Sequence, residues 1–504
     1  MSTATVETTS PGVVDMSQFV LPPRLALAAR RQLFLGHKMQ DGGRRAWTTN
    51  LRDSMGIIAP PGYGKTSGLV VPNILCWDGP VISTSTRGDV LHDTGDFRRL
   101  IAGREPLHEA VLAELNTDVV DDTRAWRRHI ADRHGGRIYI YDPLGSEPGV
   151  TSIGWSPYAG CADPRVCFRR VAAITSSAGE GMTDGKHWRL GAAAILRGYF
   201  QAAALAGMPM ATVRRWIARQ EVDEPVEILR GDQRGVQTWA DDLEGMPLLG
   251  ERERGSFYSV CRAALEATAE PTVLASCDLP SLDIDEFLAT KSTLYVVGPA
   301  HYQEVTAPLI IGLIDSIVQR AAEIAARNPG GKLADPLLLG LDELPNTAPM
   351  KSLPVLVSEL GGRGVKTIYA AQSIAAMRMR YGADQAQTII SATAAKLIYG
   401  GMSSDTDLRN VSGWAGEQRE HQLTIYSHQD PRTMGSDGRG QHAIGYQYRP
   451  VLPTASIQNM PPFHAWMFYR SDPPVIVQTP PAGLIGTYAR LSGFTADLPD
   501  QEPL

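Results

Sequence analysis

Cysteine is scarce in this sequence, and what there is cannot organise a fold. Five stand at Cys76, Cys161, Cys167, Cys261 and Cys277, an odd number with no Cys-x-x-Cys spacing. That argues against a disulfide framework or a thiolate zinc site and for a reducing compartment. Long apolar runs are missing too: nowhere do about 18 apolar residues follow one another, the length a membrane-spanning helix needs. Nor is there an excess of cations. Lys and Arg number 48 against 54 Asp and Glu, for a formal net charge of −6. No whole-surface attraction for nucleic acid or anionic membrane follows, so any such contact has to be local, at a pore loop or on one face. The opening "MSTATVETTSPGVVDMSQ" lacks the basic stretch followed by an apolar one that marks a signal peptide. No fixed-period repeat is present.

What is present is an ordinary globular composition, 43% hydrophobic and 20% charged, over 504 residues. That length suits one large domain with insertions or two to three ordinary ones. Short apolar runs recur at Met55–Ala59, Val81–Ser83, Ile138–Tyr141, Thr293–Val297, Leu337–Leu341, Thr367–Ala370, Lys396–Tyr399 and Ala465–Tyr469. Several show no polar alternation, as expected of central strands covered on both faces. Helical stripes lie between them, such as Trp188, Ala192, Ile195 and Tyr199, or Leu309, Leu313, Ile317, Ala321 and Ile324. Strands alternating with helices predict an α/β domain with a mostly parallel central sheet.

One stretch breaks that alternation. Residues 158–285 carry long helical patterns and no convincing strand, which predicts an all-α subdomain inserted between strands. The expected organisation is a disordered tail at 1–18, a nucleotide-binding domain at 19–157 and 286–485, the helical insert at 158–285, and a second tail at 486–504. A smaller helical insert is expected over 90–135. Residues 418–450, polar and glycine-rich, read as a hairpin or a mobile loop.

The stretch "APPGYGKTSG" at 59–68 nearly spells the phosphate-binding pattern G-x-x-x-x-G-K-[ST]. Gly64, Lys65 and Thr66 supply its end, but Ala59 stands where the first glycine belongs. The context is right: a strand, "MGIIA", then a helix start, "KTSGLVVPNIL". Such a loop turns its backbone N–H groups and a helix N-terminus toward phosphates. Pro61, Gly62, Tyr63, Gly64, Lys65, Thr66 and Ser67 are the candidate cradle. Gly62 and Gly64 fall where the backbone comes closest, so Ala59 is tolerable at the strand exit if its φ is negative. Lys65 would reach the β- and γ-phosphates, and the Thr66 hydroxyl would bind Mg²⁺. Pro72 is expected to kink or end the helix. The bland alternative is a glycine-rich turn with no ligand.

A second element sits far along the chain. "LLLGLDELPN" is an apolar strand ending in Asp342 and Glu343, the arrangement that sets an Asp beside Mg²⁺ and a Glu as general base for the attacking water. Alone, it could be the start of a solvated loop. Gln372 ends the strand "KTIYAAQS", where a polar group can sense the γ-phosphate and orient the water; an ordinary strand-end hydrogen bond is the alternative. Arg363, on the glycine-rich "LGGRGVK", is a candidate arginine finger across a subunit boundary, or else a solvated loop arginine.

Several blocks taken in order resemble the type IV coupling protein family, the TraG/TraD-like ATPases of conjugation and type IV secretion. "GIIAPPGYGKTSGLVVPNIL" is similar to the family's Walker A block, including its continuation into Val-Pro-Asn. Arg87-Gly88-Asp89 stands where the family usually has Lys-Gly-Glu, and reads here as a strand-to-helix turn. "IYIYDPLGS", "SIGWSPY", "GKHWRLGAAAILRGYF", "LLLGLDELPN", "RGVKTIYAAQS", "YGADQAQTIISATAAKLIYGG" and "RPVLPTASIQNMPPFHAWMFYRSDPPV" match later family blocks. The resemblance covers roughly residues 35–480. It implies a RecA-like P-loop NTPase fold, ATP and Mg²⁺ as cofactors, and a homo-hexameric ring that moves single-stranded DNA or a relaxase–DNA complex toward type IV secretion channel components. Carried over by position, Lys65, Thr66, Asp342, Glu343 and Gln372 take the nucleotide roles, and Arg363 is the candidate finger. Family members usually carry N-terminal transmembrane helices. This sequence shows none, which implies a cytoplasmic protein held at the inner face of the membrane by an anchoring partner, a soluble variant, or the product of a shortened gene.

Three functions remain open at this stage. One is an ATP-hydrolysing motor that delivers DNA to a conjugation channel. Another is a nucleotide-gated receptor that recruits secreted proteins through its helical insert. The third is a DNA pump of the FtsK/HerA type. No aromatic and basic stacking track for DNA stands out in the sequence.

Overall fold

The computed structural model describes residues 32–40, 43–77, 79–102, 136–175, 185–298, 302–426 and 441–479. The expected tails at 1–18 and 486–504, and residues 103–135 of the small helical insert, lie outside the described residues.

The eight apolar runs all form strands, and all eight lie in one 11-stranded sheet ordered β2-β1-β13-β12-β9-β3-β8-β7-β4-β6-β5. The parallel part comprises β9 (Ala395–Tyr399), β3 (Met55–Ile58), β8 (Val365–Ala371), β7 (Leu337–Leu341), β4 (Val81–Ser85), β6 (Thr293–Val297) and β5 (Ile138–Tyr141). Both faces of these strands are covered. Ile58, Ile82, Leu339, Leu341 and Ile398 point into one core, with Leu313 and Ile317 of the helix Gln303–Arg327. Their neighbours Ile57, Val81, Leu338 and Leu397 point into the other, with Leu69 and Ile74. Two buried faces leave neither side of these strands open to solvent, which is why the runs lack a regular polar alternation.

Beyond β9 the sheet turns antiparallel through β12 (His464–Tyr469), β13 (Val475–Gln478), β1 (Phe34–Gln40) and β2 (Gly43–Thr48). Of these, only β12 is legible in the sequence. β1 and β2 are broken by glycine and basic residues, and β13 is four residues long, so none carries a strand signal of its own.

Between β5 and β6 the described residues form helices and no strand, from Pro164–Thr175 to Ile284–Ala289. They enclose a separate core around Tyr199, Phe200, Trp216 and Tyr258. The Tyr199 hydroxyl lies 2.9 Å from that of Tyr258 and donates to the Glu221 carbonyl at 2.7 Å, so the buried rings keep their polar ends paired. Cys161, Cys167, Cys261 and Cys277 are buried here as free thiols.

Residues 417–450 do contain a hairpin: β10 (Glu417–Tyr426) pairs antiparallel with β11 (Gln441–Pro450) in a two-stranded ribbon separate from the main sheet. No helix among the described residues is long and apolar enough to cross a membrane.

The candidate nucleotide site

β3, β7 and β8 end at the same edge of the sheet, because Ile58 pairs with Ala371 and Leu341 with Tyr369 in parallel register. That register brings together the loop at 59–66, the Asp342–Glu343 pair and Gln372, although Thr66 and Asp342 stand 276 positions apart in the chain.

Ala59 stays in the ladder. It is fully buried, its N–H donates to the Ala371 carbonyl at 3.0 Å, and its φ is negative. The left-handed turns fall on Gly62 (φ 81) and Gly64 (φ 88) instead, so the missing first glycine costs no backbone conformation. No atom comes within 4 Å of a Cβ built on Gly62, which leaves that side of the loop open.

The helix beyond the loop departs from expectation at Pro72, which neither kinks nor ends it. A π-helical turn, Thr66–Val70, runs straight into the α-helix Val71–Cys76, so Pro72 falls in the first α-helical turn, where no N–H is required. The wider turn is visible in the Val71 N–H, which donates to the Thr66 carbonyl five residues back. Asn73 completes the device. Its side-chain amide donates to Leu69 O at 2.8 Å and Phe34 O at 3.0 Å, and its Oδ1 accepts from the Phe34 N–H at 2.7 Å. The Val-Pro-Asn continuation thus welds the loop's helix to β1.

Thr66 Oγ1 donates to Asp342 Oδ2 at 2.6 Å. Lys65 Nζ stands 2.8 Å from Glu343 Oε1, with 10% and 14% of the two side chains exposed. Gln372 Nε2 donates to Glu343 Oε2 at 2.9 Å. Lys65, Thr66 and Gln372 thus each bond to the Asp342–Glu343 pair, and all five carried-over residues meet. Glu343 has a left-handed backbone, φ 53, and its amide folds back on Asp342 Oδ1 at 3.1 Å. A non-glycine residue in that region is strained, and such strain concentrates at functional sites. Here it swings the Glu343 carboxylate across to Lys65. Thr347 Oγ1 supports the turn by donating to the Asp342 carbonyl at 2.9 Å.

Burial pushes the Asp342 carboxyl up from 3.8 to about 6, against the Thr66 hydrogen bond and the charge of Lys65. A buried carboxylate that gives up this much is a fit for a divalent cation held between Thr66 and Asp342. The rise is worth at most about 3 kcal/mol against the charged fold. Because the folded value lies above the ordinary one, the folded state gains relative stability below pH 3.8 and loses it as pH rises through about 6. Asp342→Asn is therefore expected to melt at a higher temperature than the parent above pH 6, the gap closing toward pH 4. Thermal scans across pH check this, and a lower melting temperature for the variant at pH 8 contradicts it.

The structure does not bring Arg363 to this cluster. It is exposed just before β8, at the opposite edge of the sheet from Gln372, about 20 Å away by strand rise. Its loop is pinned there by Lys366, which donates to the Leu51 and Gly361 carbonyls, and by the Leu333 N–H on the Arg363 carbonyl. Arg87-Gly88-Asp89 is a strand-to-helix turn, with Asp89 Oδ1 accepting from Ser85 Oγ and the Val90 N–H, each at 2.8 Å.

Sequence reasoning missed Phe463. It too is left-handed, φ 59, and its ring lies against the loop: a Cβ on Gly64 would sit 2.4 Å from it. The Phe463 N–H donates to Tyr63 O at 3.1 Å, and its carbonyl accepts from the Thr479 N–H at 2.8 Å. Nothing in "MPPFHAW" signals this, since the contact depends on β12 lying beside β9. Phe463→Ala is expected to raise the KM for ATP by roughly threefold to tenfold with little change in kcat, and Phe463→Leu to restore it. An unchanged KM in Phe463→Ala would show that the ring does not position the loop.

Fold and site together define a RecA-like P-loop NTPase. Two stretches match family models of conjugative transfer: residues 28–105 match "Type IV secretory system Conjugative DNA transfer", and residues 336–462 match "TraM recognition site of TraD and TraG". Together with the fold, these matches support a type IV coupling protein. Among solved structures it resembles the bacterial conjugative coupling protein TrwBdeltaN70 in its unbound form, at 16% identity, 90% coverage of both chains and a TM-score of 0.59. TrwB with the ATP analogue ADPNP and TrwB with ADP and Mg²⁺ match at TM-scores of 0.54 and 0.55, each at 16% identity with 84% of both chains covered. Likeness at this identity speaks for the fold. No curated protein sequence matches the chain.

Proposed function

We propose that this chain is the ATP-hydrolysing motor of a conjugation or type IV secretion system, delivering single-stranded DNA or a relaxase–DNA complex to the channel. The observation that carries the reading is the convergence of Lys65, Thr66, Asp342, Glu343 and Gln372 at one sheet edge, in a chain whose relatives are coupling proteins. TrwB has been seen with the ATP analogue ADPNP and with ADP and Mg²⁺, which supports the same ligands here.

In this reading the loop Pro61–Ser67 cradles the phosphates, and Lys65 leaves Glu343 for the β- and γ-phosphates. Thr66 and Asp342 would hold Mg²⁺, which would neutralise phosphate charge when bound. Glu343, released from Lys65, takes the proton of the attacking water, and Gln372, already bonded to Glu343, orients that water. Arg363 cannot serve its own subunit's site from the far edge of the sheet. It can act only on a neighbour's site, as a finger in a ring. A homo-hexamer, channel components and a membrane-anchoring partner complete the assembly.

A nucleotide-gated receptor for secreted proteins is the second reading. It draws on apolar side chains that the helical subdomain leaves exposed, Leu248 at 87% and Leu190 at 60%.

Oligomer mass tests the ring. With ATP and single-stranded DNA the 54.6 kDa chain is expected to assemble to six times its mass. A monomer that turns over ATP at the same rate per chain at every concentration contradicts a ring with fingers in trans.

A further inference from the structure

Among the described residues the β10–β11 ribbon forms a sheet of its own. It pairs with no strand of the main sheet, and its register sorts its side chains onto two faces. Gln418, Glu420, Gln447 and Arg449 share one face. There the charges cancel: Arg449 Nη1 lies 3.2 Å from Glu420 Oε2, and Gln418 Nε2 donates to Glu420 Oε1 at 3.3 Å. The other face carries Arg419, Tyr446 and Tyr448, with Glu417 at the root opposite Pro450. Tyr446 is 52% exposed and Tyr448 66%. The Arg419 guanidinium lies over the Tyr446 ring at 3.4 Å.

We propose that this face is a stacking platform for single-stranded nucleic acid, with Tyr446 and Tyr448 receiving unpaired bases and Arg419 set beside the backbone phosphates. The proposal rests on the coupling-motor reading and names where its substrate is gripped. Aromatic rings two residues apart on one strand face, interleaved with a guanidinium, can stack on any base, because every base has a π-face. Over the ribbon's own bounds, residues 417–450, four arginines balance four carboxylates, with three histidines besides, in a chain of net charge −6.

A physical path joins the platform to the nucleotide. Gln372, bonded to Glu343, is followed by Ser373, the N-cap of the helix Ile374–Tyr381. In that helix the Ala375 N–H donates to Asp407 Oδ2 at 3.1 Å, and Arg378 lies 3.6 Å from Asp407 Oδ1. Asp407 is buried in the first turn of the helix Asp405–Ala415, whose far end leads into the ribbon. The root is closed there by the Val451 N–H on Gly416 O at 2.9 Å and by Ser412 Oγ on Leu452 O at 2.7 Å. Gln372, Asp407 and the helix Asp405–Ala415 thus connect Glu343 to the root of the ribbon.

The test uses the full chain and a fluorescein-labelled oligothymidylate, read by anisotropy at several salt concentrations, with basal ATP turnover and oligomer mass measured in parallel. The double variant Tyr446→Ala/Tyr448→Ala is expected to bind at least tenfold more weakly at unchanged basal turnover, while Tyr446→Phe/Tyr448→Phe keeps the parent affinity. Arg419→Gln is expected to flatten the slope of log affinity against log salt by about 0.7. If the parent binds and the alanine double variant binds equally well, the platform is overturned and the motor reading stands. A change of oligomer mass with DNA affinity intact makes the face a protein contact, which also overturns the platform. A parent that binds no oligothymidylate overturns the motor reading along with it.

Discussion

Glu343→Gln is expected to lower ATP hydrolysis by about 10²- to 10⁴-fold while leaving nucleotide binding intact or tighter. The change is nearly isosteric. The introduced amide keeps an oxygen able to accept from Lys65 or Gln372, so the local packing survives. It cannot take a proton from water. It also lacks the charge that holds Lys65 at 2.8 Å in the structure. A phosphate has to compete with that carboxylate for the ammonium, and removing the competitor favours the nucleotide. Phosphate release reads the first effect and titration with a fluorescent ATP analogue the second. Full turnover in the purified variant would remove Glu343 from the chemistry.

Lys65→Ala is expected to fail in the opposite order, with binding lost first. ATP affinity should drop by tenfold or more, and turnover should vanish at accessible concentrations. The ammonium is the one cation within the loop, and no other residue of Pro61–Ser67 can replace it. Its loss should cost little stability. Glu343 keeps its bond to Gln372 and a weaker one from Asn346 at 3.4 Å, and its side chain stays partly open to water. The pair of variants is diagnostic together: one binds without turning over, the other does neither, and both melt close to the parent. ATP binding by Lys65→Ala equal to that of the parent would remove Lys65 from the phosphate site.

Much of this site is legible in the sequence. The strands β3 and β7 announce themselves as unbroken apolar runs, and the residues that follow them are the ones that meet. Ala59 looks like a defect only when the loop is compared letter by letter. Once the strand is placed, Ala59 is its last rung, and the two positive φ values fall on Gly62 and Gly64. What stays hidden depends on tertiary neighbours. A π-turn absorbs Pro72 because Asn73 is tied to β1, a strand whose glycine and basic residues mask it. Phe463 reaches the loop only because β12 returns antiparallel beside β9. Arg363 stands close before Gln372 in sequence, but a strand runs between them and sends them to opposite edges. The aromatic track on the ribbon is invisible for the same kind of reason. Arg419 and Tyr446 are distant in sequence and meet only through cross-strand register.

The central claim is that ATP hydrolysis at Lys65 and Glu343 is harnessed to a DNA strand. The most direct test is the steady-state ATPase rate of the purified chain with and without single-stranded DNA. DNA is expected to raise the rate, and the rise is expected to be absent in Glu343→Gln. Nucleotide binding with no turnover, with or without DNA, would contradict it and favour a receptor that uses ATP only to set its assembly.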